Sequence, residues 1–168
     1  VPYADGKYTL TIPVGKKYYV QGSSTNFGGW WGSDQDVEIS GYVLSLHYPS
    51  MEQPNSNVSY QNLFAKNGNG TSDGKLHFNF SKLKLPCRMI GTRGYQQAFM
   101  GCLSITELNY DIFYTDSTSQ TTGEYVFGSM FMNCTNLTSV DGFSFSRFTN
   151  FGRWCELRET FSGCSSLE

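Results

Sequence analysis

Charged side chains are scarce in this chain. They make up 15% of its 168 residues, and the formal net charge is −2. Dedicated nucleic-acid binders carry a clear basic excess, so no nucleic-acid partner is expected. Histidine occurs only as His47 and His77, both inside strand-like alternation and on its polar side. No apolar run approaches the roughly 18 residues needed to span a bilayer, so no membrane insertion is expected. The opening stretch VPYADGKY has no Met, no charged n-region and no apolar h-region, and it reads as a mature or trimmed start. The five cysteines are an odd number without CxxC pairing, which gives zinc and thioredoxin-like chemistry little support. GxSxG, HExxH and Walker patterns are missing too. GNGTSDGKL has the wrong spacing for a P-loop and leads into a strand. No catalytic residue, metal or cofactor is expected.

What is present is aromatic and turn-rich. Phe, Tyr and Trp reach 16%, with 13 Phe and 11 Tyr, beside 18 Gly. This composition folds, because disorder goes with few aromatics and high charge. A chain of this length defaults to one domain, with two small lobes as the alternative.

The strongest pattern is a repeat. Cys102, Cys134 and Cys164 recur about every thirty residues. Seven positions before each stands a large apolar residue: Tyr95, Phe127 or Leu157. Four before stand Ala98, Met130 and Thr160. Three before, the residue is always Phe: Phe99, Phe131 and Phe161. The spacing i, i+3, i+4, i+7 describes one face of an α-helix. Gly101, Asn133 or Gly163 precedes the cysteine, and these residue types accept the left-handed conformation that ends many helices. Ile105, Leu137 and Leu167 follow at a fixed distance, and Leu108 and Val140 come next, as in a short extended segment. A helix, a cap, a short strand and a loop in each period predict stacked units that share one core. The cysteines then read as small buried core residues. On stacked helices their spacing of about 8–10 Å exceeds the reach of a disulfide. On a strand side, spacing near 4.8 Å does not exclude one. Cys87 and Cys155 lie outside this register, either free or paired.

The stretches AFMGCLSITEL, MFMNCTNLTSV and TFSGCSSLE resemble the MFxGCxSLxxL signature of BspA-like leucine-rich repeats. The likeness runs from roughly Leu83 onward, about half of the chain. Thr160 stands where Met is usual, Ile105 stands where Leu is usual, and loops such as FYTDSTSQTTGEY are less regular than in typical arrays. The family occurs on bacterial surfaces, on some protist surfaces and in some phage proteins. The resemblance implies an α+β fold: a short leucine-rich-repeat-type solenoid, helix plus short strand per repeat, preceded by a β-rich N-terminal cap. Residues 1–60 form that cap in this reading, and 61–168 form the repeats, the last one incomplete.

Residues 1–60 do not show the repeat. YTLTIP, GYVLSLHY and, further on, KLHFNFSKLKL alternate with period two and predict half-buried strands. SYQNLFAK reads as a degenerate first helix, with Phe64 about one period before Phe99. The last repeat stops within its strand. Its face is therefore expected to be covered by further repeats, by another copy in a homo-oligomer, or by a partner.

Candidate contact residues are few. Trp30 and Trp31 stand in the glycine-rich stretch NFGGWWGSDQD; one reading has one ring plug the core of the cap and the other cover its edge, and the other has an aromatic face with polar neighbours contact a ligand. Glu107 and Asn109 complete the set of candidate contact residues. Asp34 and Asp36 lack the rest of a calcium loop, and nothing sets Glu107 and Asp111 apart as a glycosidase pair. Lys75, Lys82, Lys84, Arg88 and Arg93 read as a solvated basic face. The functional expectation is a non-catalytic, surface-exposed binding or adhesion module for a host protein or glycan, extracellular at the cell surface. The alternative is a phage virion or tail-fibre component displayed at the virion surface. An enzyme is not expected.

Overall fold

The computed structural model describes residues 13, 15–16, 37–42, 60–65, 78–85, 92–113, 124–146, 148 and 156–168. Two strands, β1 (Val37–Tyr42) and β2 (Phe78–Lys84), pair in parallel. Glu38 faces Asn79 and Ser40 faces Lys82, so Phe80 and Ser81 together oppose the single residue Ile39. This is a bulge in β2, and it resets the side-chain alternation. Phe80 is buried before it, Ser81 and Lys82 are both exposed, and Leu83 and Leu85 are buried after it. The period-two reading of KLHFNFSKLKL located this strand. It missed the bulge, which explains why Leu83 and Leu85 are out of phase with Phe80. YTLTIP and most of GYVLSLHY lie outside the described residues, as does most of the segment 1–60.

The helix-plus-strand solenoid expected from the repeat is overturned. Among the described residues there is no helix, and β1 and β2 are the only strands. The segments read as helices are runs of β-turns. In the second copy, Ala98 N–H donates to Tyr95 C=O and Cys102 N–H donates to Phe99 C=O. Met130 with Phe127 and Cys134 with Phe131 repeat this in the third copy; Thr160 with Leu157 and Cys164 with Phe161 repeat it in the fourth. Each turn has a left-handed third residue: Gln97 at 59°, Gly101 at 73°, Ser129 at 55°, Asn133 at 61°, Glu159 at 56° and Gly163 at 74°. Positive φ at that position is what a type II turn requires.

The physical reason for the misreading is plain. Two turns set four residues apart put their first and fourth residues at i, i+3, i+4 and i+7. Over so short a stretch that pattern is the same as a helix face.

The remaining backbone donors point to the next copy. Tyr95, Gln97, Phe99 and Gly101 donate to the carbonyls of Val126, Gly128, Met130 and Met132. Phe127, Ser129, Phe131 and Asn133 donate in turn to Glu156, Arg158, Thr160 and Ser162. Tyr60, Asn62 and Phe64 make the same contacts with Gly94, Gln96 and Ala98, so SYQNLFAK does hold a first copy, built as a turn. Alternate N–H groups thus close turns within a copy and join it to its neighbour, which leaves little backbone polarity unpaired.

These ladders set the aromatic spacing. The rings of Phe64, Phe99, Phe131 and Phe161 lie 5.3, 5.2 and 5.5 Å apart in succession, and the last two pairs are tilted by only 7° and 3°. Tyr60, Tyr95 and Phe127 form a second file. Such spacing is close to the 4.8 Å of neighbouring strands and far below that of packed helices. Phe143 and Phe80 meet the Phe file edge-on. Each such pair adds about 0.5–1.5 kcal/mol beyond area burial.

The three repeat cysteines are free and buried, as expected, although the spacing argument for their separation fails with the helices. Each thiol donates to the Phe carbonyl of the preceding copy: Cys102 to Phe64 at 3.6 Å, Cys134 to Phe99 at 3.2 Å and Cys164 to Phe131 at 3.1 Å. Cys87 and Cys155 lie outside the described residues.

Candidate functional site

A groove of about 340 Å³ runs between β2 and the segment 104–112. Asn79, Phe80 and Ser81 form one wall, and Ser104 through Tyr110 with Ile112 form the other. Beneath the groove Phe80, Ile105, Leu108 and Ile112 belong to the buried core. Its rim is polar, with Asn79, Ser81, Thr106, Glu107 and Asn109 exposed.

The second wall is held by its neighbours rather than by its own propensity. Leu108 N–H donates to Ser139 C=O, Thr138 N–H and its hydroxyl both donate to Thr106 C=O, and Asn136 Nδ2 donates to Leu103 C=O. Glu107 and Ser139 form a parallel bridge. Behind Asn109 lies Gly142, whose N–H donates to Leu108 C=O. A Cβ on Gly142 would sit 2.0 Å from the Asn109 carbonyl carbon and 2.3 Å from Tyr110 N. Only glycine fits there. The Asp-Gly dipeptide in the sequence signals a turn, but nothing in it signals this close approach.

The two walls are tied at one end. Tyr110 Oη donates to Phe80 C=O, and Lys84 Nζ donates to Asp111 C=O and lies 5.7 Å from the Tyr110 ring centre. Burial pushes the Tyr110 phenol up, so it stays a donor at neutral and mildly alkaline pH.

Glu107 and Asn109 come together on the rim, with Asn109 Nδ2 donating to Glu107 Oε2 at 3.4 Å. The pair offers an amide beside a carboxylate. Ser104, on the same wall, has a buried hydroxyl with no hydrogen-bond partner among the described residues. Trp30 and Trp31 lie outside the described residues, as do His47, His77, Asp34 and Asp36. Of the basic set, Lys82 pairs with Glu38 at 3.0 Å and Lys84 serves the groove wall, so neither is a spare cation. Among the described residues no cluster of His, Cys, Asp and Glu is placed to hold a metal ion.

The thiols are poor nucleophiles. Burial raises Cys102 well above the ordinary thiol value, and it pushes Cys134 up to about 12, with neighbouring Cys164 adding to it. A buried, protonated thiol is inert, because the thiolate is the reactive form.

No family model matches the chain, and no curated protein or solved structure matches it either.

Proposed function

We propose that this protein is a non-catalytic recognition module, displayed outside the cell, that binds a glycan through the groove between β2 and 104–112. One observation carries the reading: Glu107 and Asn109 are paired on a wall that the neighbouring copy holds in place. Sugars offer vicinal hydroxyls that both donate and accept. A carboxylate beside an amide answers both needs. The Ser104 hydroxyl adds a further polar group in the same wall. Wall residues fixed before binding lose little entropy on contact. The resemblance to BspA-like surface repeats supports the extracellular setting.

A glycan array probed with the wild-type chain and a Glu107→Ala/Asn109→Ala variant tests this. Both side chains are exposed, so the variant should fold normally while its glycan signal falls about tenfold or more, the scale of losing two polar contacts. Equal binding by the folded variant would remove the groove from consideration. Displacement from the groove by peptides alone would assign the site to a protein ligand.

A further inference from the structure

Charge around the groove is one-sided. Of the described residues that line it, Glu107 alone is ionised at neutral pH, and none is Lys or Arg. Glu107 is exposed and pairs with no basic side chain among the described residues. The lysines of β2 do not offset it, because Lys82 pairs with Glu38 and Lys84 donates to the Asp111 carbonyl. The chain that builds this wall and backs it adds only acids. Residues 102–113 and 134–146 hold Glu107, Asp111 and Asp141 and no Lys or Arg. Asp141 is exposed, next to the Gly142 that backs Asn109.

Hydrogen bonds within the walls give them opposite characters. Asn109 Nδ2 donates to Glu107 Oε2, which leaves Asn109 Oδ1 and the rest of the carboxylate as acceptors on one wall. Asn79 Oδ1 accepts from Ser81 N–H, which leaves the Asn79 amide nitrogen as a donor on the other. An ammonium group has three donors and no acceptor, so it suits the first wall, and a hydroxyl oxygen can accept from the second. Resting on the glycan reading of the groove, we infer that its ligand is a cationic amino sugar. The ammonium lies against Glu107 and Asn109, and a ring hydroxyl lies against Asn79.

Neutral sugars meet the same hydrogen-bonding groups without the ionic attraction. Sugars that carry a carboxylate or a sulfate meet repulsion from Glu107. A basic peptide fits less well, because its successive cations would need successive carboxylates and the described lining has one. Both charges stay in contact with water, so the preference is modest. An exposed ion pair strengthens contact by a factor of about two to five, and salt screens it.

The test uses short oligosaccharides that share one ring and one linkage and differ in a single substituent: amino as in chitosan, acetamido as in chitin, hydroxyl as in cellulose. Titration calorimetry on the full chain at about pH 6, where Glu107 is ionised and the amino sugar carries its proton, gives the three affinities. The amino oligomer should bind about three- to fivefold more tightly than the hydroxyl one. Glu107→Gln should remove that ratio. Asn109→Asp, which adds a second carboxylate to the same wall, should raise it. Salt at about 1 M, where charges are screened beyond about 3 Å, should bring it close to one. Equal binding of the amino and hydroxyl oligomers overturns the inference, as does a preference that survives in Glu107→Gln or falls in Asn109→Asp. If the neutral oligomers still bind and still lose affinity in Glu107→Ala/Asn109→Ala, the glycan reading stands without the charge preference. Binding of no sugar ends both. Tighter binding of short oligolysine than of the amino sugar also overturns the inference and makes a basic peptide the occupant.

Discussion

The third and fourth copies share one backbone plan and differ in what lies above them. Residues 125–134 are joined on both sides, to 93–102 and to 156–162, and Phe127, Met130, Phe131 and Cys134 are all fully buried. Among the described residues, 157–164 are joined on one side, and Leu157, Phe161 and, just beyond, Leu167 lie partly in water. Nearly the same local pattern therefore buys different burial according to its neighbours. A turn ladder has little stability of its own, since one turn fixes several dihedrals for one hydrogen bond. Its stability comes from the flanking copies.

The largest break in this comparison is at the rings. Phe131 stacks on Phe99 and Phe161 and meets Phe143 edge-on, so Phe131→Ala should cost about 3–5 kcal/mol. Phe161 has one stacked neighbour and is half-buried, so Phe161→Ala should cost about half as much, in proportion to the apolar area lost. Urea unfolding of both variants measures the ratio. Equal losses would mean that the fourth copy is as enclosed as the third.

The second break is at two glycines. Gly142 meets the backbone of Asn109 and Tyr110, which cannot swing aside. Gly142→Ala should cost about 1–3 kcal/mol and loosen the groove wall, as overpacking does. Gly163, in the fourth copy, would meet the Oδ1 of Asn133, the end of a side chain that can turn away. Gly163→Ala should therefore cost only the left-handed backbone term, about 1 kcal/mol. A larger loss at Gly163 than at Gly142, seen in thermal unfolding, would reverse the assignment of which contact is rigid.

How far the sequence carried these conclusions varies from residue to residue. The three Phe-x-x-Cys positions were legible, because apolar identity and spacing report burial whatever the local backbone. The left-handed residues were legible only in part. Gly101, Asn133 and Gly163 announce positive φ, but Gln97, Ser129 and Glu159 adopt it without any sequence mark. Those three unmarked residues separate two turns from one helix, so the expected helix was the natural error. The groove itself was not legible. Glu107 and Asn109 could be named as candidates, but the facing wall on β2 and the close contact at Gly142 are long-range facts.

A third break uses pH. Cys134 keeps its proton in the folded state up to about 12, while an unfolded thiol loses it near pH 8.5. Between those values the native state binds more protons, so stability falls as pH rises. This contribution is fully present below about pH 8.5 and is lost progressively above it. Cys164 is also raised, but it is less enclosed, so its share is smaller. The unfolding midpoint measured from about pH 8 to 10 should therefore fall less steeply in Cys134→Ala than in Cys164→Ala. Parallel slopes for the two variants and the wild type would show that the thiols do not differ.

The smallest effect is kinetic. Alkylation of a buried thiol waits for local opening. Cys164 needs only the fourth copy to lift, whereas Cys134 needs the third to open as well, and Cys102 lies one copy deeper still. With Cys87 and Cys155 replaced by Ser to clear the background, iodoacetamide should label Cys164 first, Cys134 next and Cys102 last. Each step should slow by about tenfold if one further copy must open against roughly 1.4 kcal/mol. If instead all three thiols react at one rate, the copies open together. The exposed edge would then be no weaker than the interior, and the difference in burial at Leu157 would have no energetic consequence.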